Sequence, residues 1–410
     1  MRIFLLSALL TFFYSSTAQT VIGVPPQDHP FIQAIEWKGK GGLLLSQSSK
    51  EYMNQINLTL VGEEDSKMWE QKFNPENHTP HFLFNENTNY IYFIDNLDLK
   101  NNGRFYFNQI NTAGNAKSGT LDIGIKVKRF EGYYDYNIFE FQDATVTDKV
   151  LISQYRYYDK KAKEYHEFAM LMTHHNLTHN VIKLGHVDAD AIKSETSGQW
   201  NFVGFDNEIS HFSWRENKAD ALGYTIKGYS PKAELVSDLF LPEPKNCVKF
   251  KNFGYGNMGK YYLTDESRYG VETGLISISN GEYYLLTLKA DGEDNKITLH
   301  QLKNEKWSEI NSMSVGKLAE KSTVYLGSFP INEGITYHYK NGDKDIVGIL
   351  YYEEEKEGKT EPFTSQSAFN PSRLLLDAQP MEFITQVSTG ILTCDLQQFA
   401  RNGGITFMRN

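Results

Sequence analysis

Apolar and aromatic residues run along this chain in short stretches broken by polar turns, and helical spacing is almost absent. INLTLVGEEDSKMWEQKF from Ile56 sets the pattern, with an apolar strand, a polar turn carrying Gly and Asp, and a second strand. The stretches YIYFIDNLDLKNNGRFYFNQI from Tyr90, EFAMLMTHHNLTHNVIKLGHV from Glu167 and LGYTIKGYSPKAELVSDLFL from Leu222 repeat it. So do YYLLTLKADGEDNKITLHQL from Tyr283 and VGILYYEEEKEGKTEPF from Val347. β-Branched and aromatic residues fit a pleated surface, while Gly, Asn and Asp supply the turn conformations, so each stretch predicts a hairpin.

A further strand precedes most of these hairpins: GGLLLSQSS from Gly41, HFLFNEN from His81, KVLISQYRYYD from Lys149, ISHFSWREN from Ile209, GLISISNG from Gly274 and ITYHYKNG from Ile335. Three units place a tryptophan shortly after a polar turn, at Trp69, Trp200 and Trp307. Strand, hairpin and closing strand make a four-stranded antiparallel sheet of roughly 40 to 60 residues, the blade of a β-propeller. The expected fold is all-β, a propeller of six or seven four-stranded antiparallel blades. A row of separate sandwiches would call for Pro/Ser/Gly-rich linkers, and residues 40–350 contain none. The repeat pattern resembles secreted β-propeller repeat proteins in architecture, over residues 30–360. No WD40, kelch or sialidase signature accompanies it, so the resemblance implies a fold and no catalytic residue.

Two stretches exceed plain turns, Asp188 to Trp200 and Pro242 to Glu272. The second contains KNFGYGNMGKYYLTDESRYG, with four glycines and four tyrosines, and reads as a surface loop lining a site. Its Tyr255, Tyr261, Tyr262 and Arg268 are the nominal ligand contacts. In the tail, residues 360–410, LLLDA and FITQV are expected as strands of a last blade, completed by the N-terminal FIQAIEWKG.

Residues 1–18, MRIFLLSALLTFFYSSTA, carry a basic Arg2, a short apolar run and a small-residue cleavage site, which is the pattern of a secretory signal peptide. The run is too short for a spanning helix, which needs about 20 apolar residues. The expectation is an exported protein, periplasmic, at the cell surface or extracellular, with residues 19–410 as a single domain and no membrane span. Aromatic content of 14% suits strands, and a net charge of -10 argues against a nucleic-acid partner. Cys247 and Cys394 are the two cysteines; an exported chain can pair them in a disulfide, with two free thiols as the alternative.

Chemistry is concentrated in one place. Met170 to Asp188 holds His174, His175, His179 and His186, four of eleven histidines. His174, His175 and His179 fall at the turn of the expected hairpin and are the candidate ligands for a divalent metal such as Zn²⁺. A plain polar turn uses the same residue types. In that case, replacing all three by Asn should change stability by no more than about 1 kcal/mol. Among the 51 acidic residues, Asp206, Glu208, Asp265, Glu266 and Glu272 are candidates for a carboxylate pair. ADGEDNK from Ala290 lacks the ligand order of a calcium loop and reads as a hairpin turn. GYGNMGK from Gly254 has dinucleotide-loop spacing without the strand and helix that motif requires. No G-x-S-x-G nucleophile elbow is present. The function expected is a non-catalytic binding or scaffold module with a protein or glycan ligand and no required cofactor. The alternative is a carbohydrate-active hydrolase or lyase using channel carboxylates or the His-rich hairpin.

Overall fold

A computed structural model describes the chain apart from residues 1–18, 24–30, 38, 51–52, 62–66, 74–80, 85–87, 95–103, 123–138, 160–162, 189–199, 219, 252–270, 292, 319–323, 332, 354–355, 363–372, 376–382, 388–389, 395–403 and 410. The signal-peptide segment therefore lies outside the described residues. No helix among the described residues is long and apolar enough to cross a membrane.

The chain divides into two compact units, one of residues 1–95, 108–118 and 376–410, the other of residues 96–107 and 119–375. In the first unit, β1 is Gln19–Gly23, and β2 (Phe31–Trp37), β3 (Gly41–Lys50), β4 (Met53–Val61) and β5 (Lys67–Phe73) form an antiparallel sheet in sequence order. A hairpin follows, with β6 (His81–Phe84) pairing with β7 (Tyr90–Ile94). Buried Trp37 donates its Nε1–H to the Thr88 carbonyl at 2.7 Å, joining the β2–β5 sheet to that hairpin. Next come β8 (Arg104–Asn111) and β9 (Ala116–Asp122).

The second unit continues with four-stranded sheets. The first is β10 (Phe139–Val146), β11 (Val150–Asp159), β12 (Glu164–Thr173) and β13 (His179–Asp188). Next are β14 (Asn201–Asp206), β15 (Ile209–Lys218), β16 (Ala221–Tyr229) and β17 (Leu235–Pro242). After the short β18 (Phe250–Lys251) and β19 (Val271–Glu272) come β20 (Gly274–Ser279), β21 (Glu282–Lys289), β22 (Asn295–Lys303) and β23 (Lys306–Gly316). Then follow β24 (Tyr325–Ile331), β25 (Gly334–Asn341), β26 (Lys344–Tyr351) and β27 (Lys359–Pro362), with β28 at Arg373–Leu375.

The chain ends in the first unit with β29 (Phe383–Val387), β30 (Gly390–Cys394) and β31 (Gly404–Arg409). These complete a sheet whose outer strand is the N-terminal β1, with Gln19 opposite Met408 and Gly23 opposite Gly404. FITQV is a strand of that sheet, as expected, but the N-terminal strand that completes the sheet is QTVIG, paired with β31. FIQAIEW instead opens the next sheet as β2, lying against β29. Seven sheets result among the described residues, five of them four-stranded.

Tight turns account for the in-order meander. Asn207–Glu208, Asn280–Gly281 and Asn304–Glu305 link adjacent strands in two-residue loops, and all six residues have positive φ. Positive φ at both central positions is the turn whose twist matches paired strands, and Asn and Gly reach it most readily. Cores form between successive sheets. Val150, Ile152, Ala169 and Leu171 of one sheet pack against Trp200, Phe202, Phe212 and Trp214 of the next. On the other face of that next sheet, Val203, Tyr224 and Ile226 meet Ile276, Ile278 and Leu285. Leu286, Leu288, Ile297 and Leu299 then meet Leu326, Ile335, Tyr337 and Tyr339. Phe202 and Val203 are neighbours in sequence that serve two different cores, as the alternation of side chains along a strand requires.

Six hairpins and six preceding strands appear as strands where the sequence places them, but the phase differs. In the sheets β2–β5, β10–β13, β14–β17 and β24–β27 the expected hairpin supplies the last two strands, and the fourth member comes first. Trp69 and Trp307 lie on last strands, β5 and β23, whereas Trp200 stands just before the first strand β14, so the three tryptophans are not equivalent.

Candidate binding end of the second unit

First strands pack together in this unit, with β20 lying against β14 and β24. The sheets thus share a leading end, where the first strands begin, and a trailing end, where they finish.

The leading end is built from buried charge. Arg156 on β11 stands directly opposite Glu167 on β12 and donates to its Oε1 from Nη2 at 2.5 Å and from Nε at 3.2 Å. Glu167 Oε2 accepts the backbone N–H of Trp200 at 2.6 Å, and Gln154 Nε2 donates to the Trp200 carbonyl at 2.9 Å. The last residue before β14 is thereby held on both sides by the preceding sheet. Arg156 also sits over the Tyr165 ring, 4.6 Å from its centroid. Burial raises the Glu167 carboxyl above the ordinary carboxylate range, and Arg156 opposes that shift.

The next junction repeats the device. Arg215, wholly buried on β15, donates to both oxygens of Glu243, from Nε at 2.8 Å and from Nη2 at 3.2 Å. Glu243 also accepts the Thr273 hydroxyl at 2.6 Å, and Thr273 meets the Tyr224 hydroxyl at 3.0 Å. Burial raises the Tyr224 phenol well above its usual range. Beside them, buried Glu272 accepts from Asn201 Nδ2 at 3.2 Å. Acid–base catalysis needs a carboxyl within reach of a substrate proton. Here Glu167 and Glu243 instead receive donors on both oxygens and tie each sheet to the start of the next.

At this end, β18 pairs with β19, with Phe250 opposite Glu272 and Lys251 opposite Val271. That short ladder sets Lys251 and Val271 side by side next to Glu272 and Thr273. Tyr255, Tyr261, Tyr262 and Arg268 fall in this segment, outside the described residues, as do Asp265, Glu266 and the GYGNMGK string.

The histidine hairpin takes the expected form, but its turn belongs to the trailing end. His174 is buried and its Nε2 lies 3.0 Å from the Thr147 carbonyl. A carbonyl only accepts, so Nε2 carries the proton of that bond. Burial lowers the His174 pKa. His175 is exposed and His179 half-buried. His186 lies at the opposite end of the hairpin, across from His166. No group of three His, Cys, Asp or Glu among the described residues is placed to hold a metal ion. Asp206 and Glu208 also belong to the trailing end, where Glu208 meets Lys149 at 3.4 Å and His211 Nδ1 meets the Tyr283 hydroxyl at 2.8 Å. The acid candidates are therefore split, with Glu272 at one end and Asp206 and Glu208 at the other.

Asp291 and Asp294 of the calcium-like stretch close the β21–β22 turn, where Lys296 faces Asp291 at 3.3 Å and Ser314 donates to Asp294. Cys247 is a free thiol that donates to the Pro244 carbonyl at 3.2 Å, and burial pushes it up to about 11. The side chain of Cys394, considered as its disulfide partner, lies outside the described residues. Arg156, Glu167, Arg215 and Glu243 were not among the residues the sequence singled out. The signal for the two arginines was a cation in an aromatic-rich strand, as in VLISQYRYYD and ISHFSWREN.

No protein-family model matches this sequence, and no curated protein matches it. Solved structures do. An oligogalacturonate lyase in complex with manganese is 8% identical, with a TM-score of 0.40 over 95% of this chain and 98% of that one. The β-propeller domain of the Trilobed protease from Pyrococcus furiosus is 8% identical, with a TM-score of 0.32 over 84% of this chain and 98% of that one. A cobalt-substituted apocarotenoid oxygenase from Synechocystis is 10% identical, with a TM-score of 0.31 over 72% of this chain and 65% of that one. The chain spans less than two thirds of that oxygenase's length.

Proposed function

We propose that this protein is an exported binding module, a seven-bladed β-propeller whose leading end presents residues 252–270 to a glycan or protein ligand. The observation that supports this reading is the β18–β19 ladder, which pairs Lys251 with Val271 beside the clamped junction of two sheets. Tyrosine supplies a rigid, amphipathic contact surface, and Arg268 adds a fork of donors. Buried acids engaged by arginine and backbone donors suit a rigid platform better than a site that moves protons. Export rests on the sequence of residues 1–18. Ring closure is supported by the pairing of β1 with β31, and on this reading deletion of the tail after Ser365 abolishes a single cooperative thermal transition.

The function is tested on a panel of immobilised polysaccharides, comparing the wild-type chain with Y255A/Y261A/Y262A/R268A and assaying released reducing and unsaturated ends in parallel. Saturable binding that the quadruple variant loses at unchanged melting temperature, without product release, is the expected result. Steady release of sugar ends would replace this reading by a hydrolase or lyase, and no saturable binding to any member would overturn the glycan form of it.

A further inference from the structure

The last strand of each sheet is an outer edge, and in the second unit one of these edges differs from the others. β13, β23 and β27 carry Lys183, Lys306 and Lys359, and their exposed residues, among those described, are all polar. β17 carries no lysine or arginine and leaves Leu235 53%, Val236 50% and Leu239 39% exposed. Among the described residues no strand pairs with its outer side. Lysine on an edge strand guards against pairing with another chain, and an apolar edge without it invites that pairing.

The ladder to β16 determines which groups of β17 face outward. Glu243 donates its backbone N–H to the Leu222 carbonyl at 3.0 Å, one step beyond the Gly223–Pro242 pair. Bonded and non-bonded pairs alternate along an antiparallel ladder. Ser237, Leu239 and Leu241 therefore bond to β16, while Asp238 and Phe240 turn their N–H and C=O outward. Lys218 Nζ lies over the Phe240 ring, 5.6 Å from its centroid.

We propose that this protein forms a two-fold dimer in which β17 pairs antiparallel with β17 of a second copy, with the axis at Leu239. In that register Asp238 of one copy and Phe240 of the other exchange both backbone bonds, and the two Leu239 side chains meet at the axis. Asp238 of each copy then lies beside the other's Phe240 and within reach of the Lys218 cation above that ring. An axis at Asp238 would oppose two carboxylates, and one at Ser237 would set Asp238 against Val236. The edge thus holds both halves of its own complement, apolar and charged, which a second copy supplies. Antiparallel pairing points the two leading ends in opposite directions, so on the ligand reading above the dimer presents two sites facing apart. The pairing does not depend on that reading, and its test reads mass rather than glycan.

The experiment is sedimentation equilibrium of the untagged protein over about 1 to 100 μM, the span of weak association. Variants are L239K, D238K, K218D, the charge-swapped D238K/K218D and, as a control on another edge, S312K on β23, with circular dichroism to check folding. The expected result is a reversible dimer for the wild type and association weakened about tenfold or more in each of L239K, D238K and K218D. Association should recover in D238K/K218D and stay unchanged in S312K. A wild type that remains monomeric throughout, equal association by L239K, or a swap that restores nothing overturns the proposal. So does protection of the Asp238 and Phe240 amides from hydrogen exchange in monomeric L239K, which would place another part of the same chain on this edge.

Discussion

Glu167 and Trp200 are 33 residues apart in the chain, yet the carboxylate of one accepts the backbone N–H of the other at 2.6 Å. The other carboxylate oxygen is held by Arg156, so a single side chain joins two strands of its own sheet to the residue that leads into the first strand of the next. Removing one partner of a buried pair leaves the other charge uncompensated, which costs more than removing both. E167Q is expected to lower the unfolding free energy by about 3 kcal/mol. The double variant R156M/E167L, which keeps apolar volume and removes both charges, is expected to lose less. Urea unfolding of the three proteins checks this, and an R156M/E167L loss equal to or larger than that of E167Q would contradict it.

His300 sets a pH dependence. It is buried on β22 with Nε2 3.0 Å from the Thr287 hydroxyl, and burial lowers its pKa to about 4. The unfolded chain protonates this imidazole at a higher pH than the fold does, so acid favours unfolding. The contribution is intact above about pH 6.5 and disappears as pH falls to about 4, for a total of about 3 kcal/mol. Burial also lowers the pKa of His174, His211 and His338, so the wild-type acid limb contains several such groups. H300Q removes one of them, and its unfolding free energy should fall less steeply between those pH values. Parallel slopes for the two proteins would rule His300 out.

Two glycines separate close packing from backbone strain. A Cβ on Gly334 would stand 2.2 Å from the Leu350 carbonyl oxygen and 2.8 Å from the Tyr351 Cα, both backbone atoms of the paired strand β26. Gly39 has φ near +68° with open space around it. G334A is expected to destabilise by about 3 kcal/mol, the upper range of overpacking, because a strand must shift. G39A meets only the left-handed penalty of about 1 kcal/mol. Thermal unfolding of both variants, with G334A melting lower, is the check.

The strands were legible because the turns that bound them carry Asn, Asp and Gly at places where positive φ is needed. Their phase within the sheets was not. β14 contains Gly204 and β24 contains Gly327 and Pro330, residues that weaken a strand signal, so the local pattern does not say on which side of the hairpin the fourth strand lies. The Arg156–Glu167 pair follows from the β11–β12 register alone, since the two residues face each other across it. Arg215 and Glu243 meet only because β17 leads back to the leading end, a relation no local pattern encodes. Histidine density drew attention to the turn, whereas pairing brings together His166 and His186, one of which stands outside the dense stretch.

The hairpin turn yields the last expectation. A solvated tip predicts that replacing His174, His175 and His179 together changes little, but His174 is only 4% exposed and bonded to the Thr147 carbonyl at 3.0 Å. Truncating it removes that donor from the half-buried Thr147 carbonyl and opens space under the turn. H174A is therefore expected to lose about 2 kcal/mol, while H175N and H179N, exposed and half-buried on the same turn, should each stay within about 0.5 kcal/mol of wild type. The three single variants are compared by chemical denaturation at pH 7.5, above the range in which His174 takes up a proton. Equal losses across the three would mean that the turn is held as a unit. A loss confined to H174A ties the β12–β13 turn to the Thr147 turn through one imidazole, and it makes the triple variant a test of that single bond.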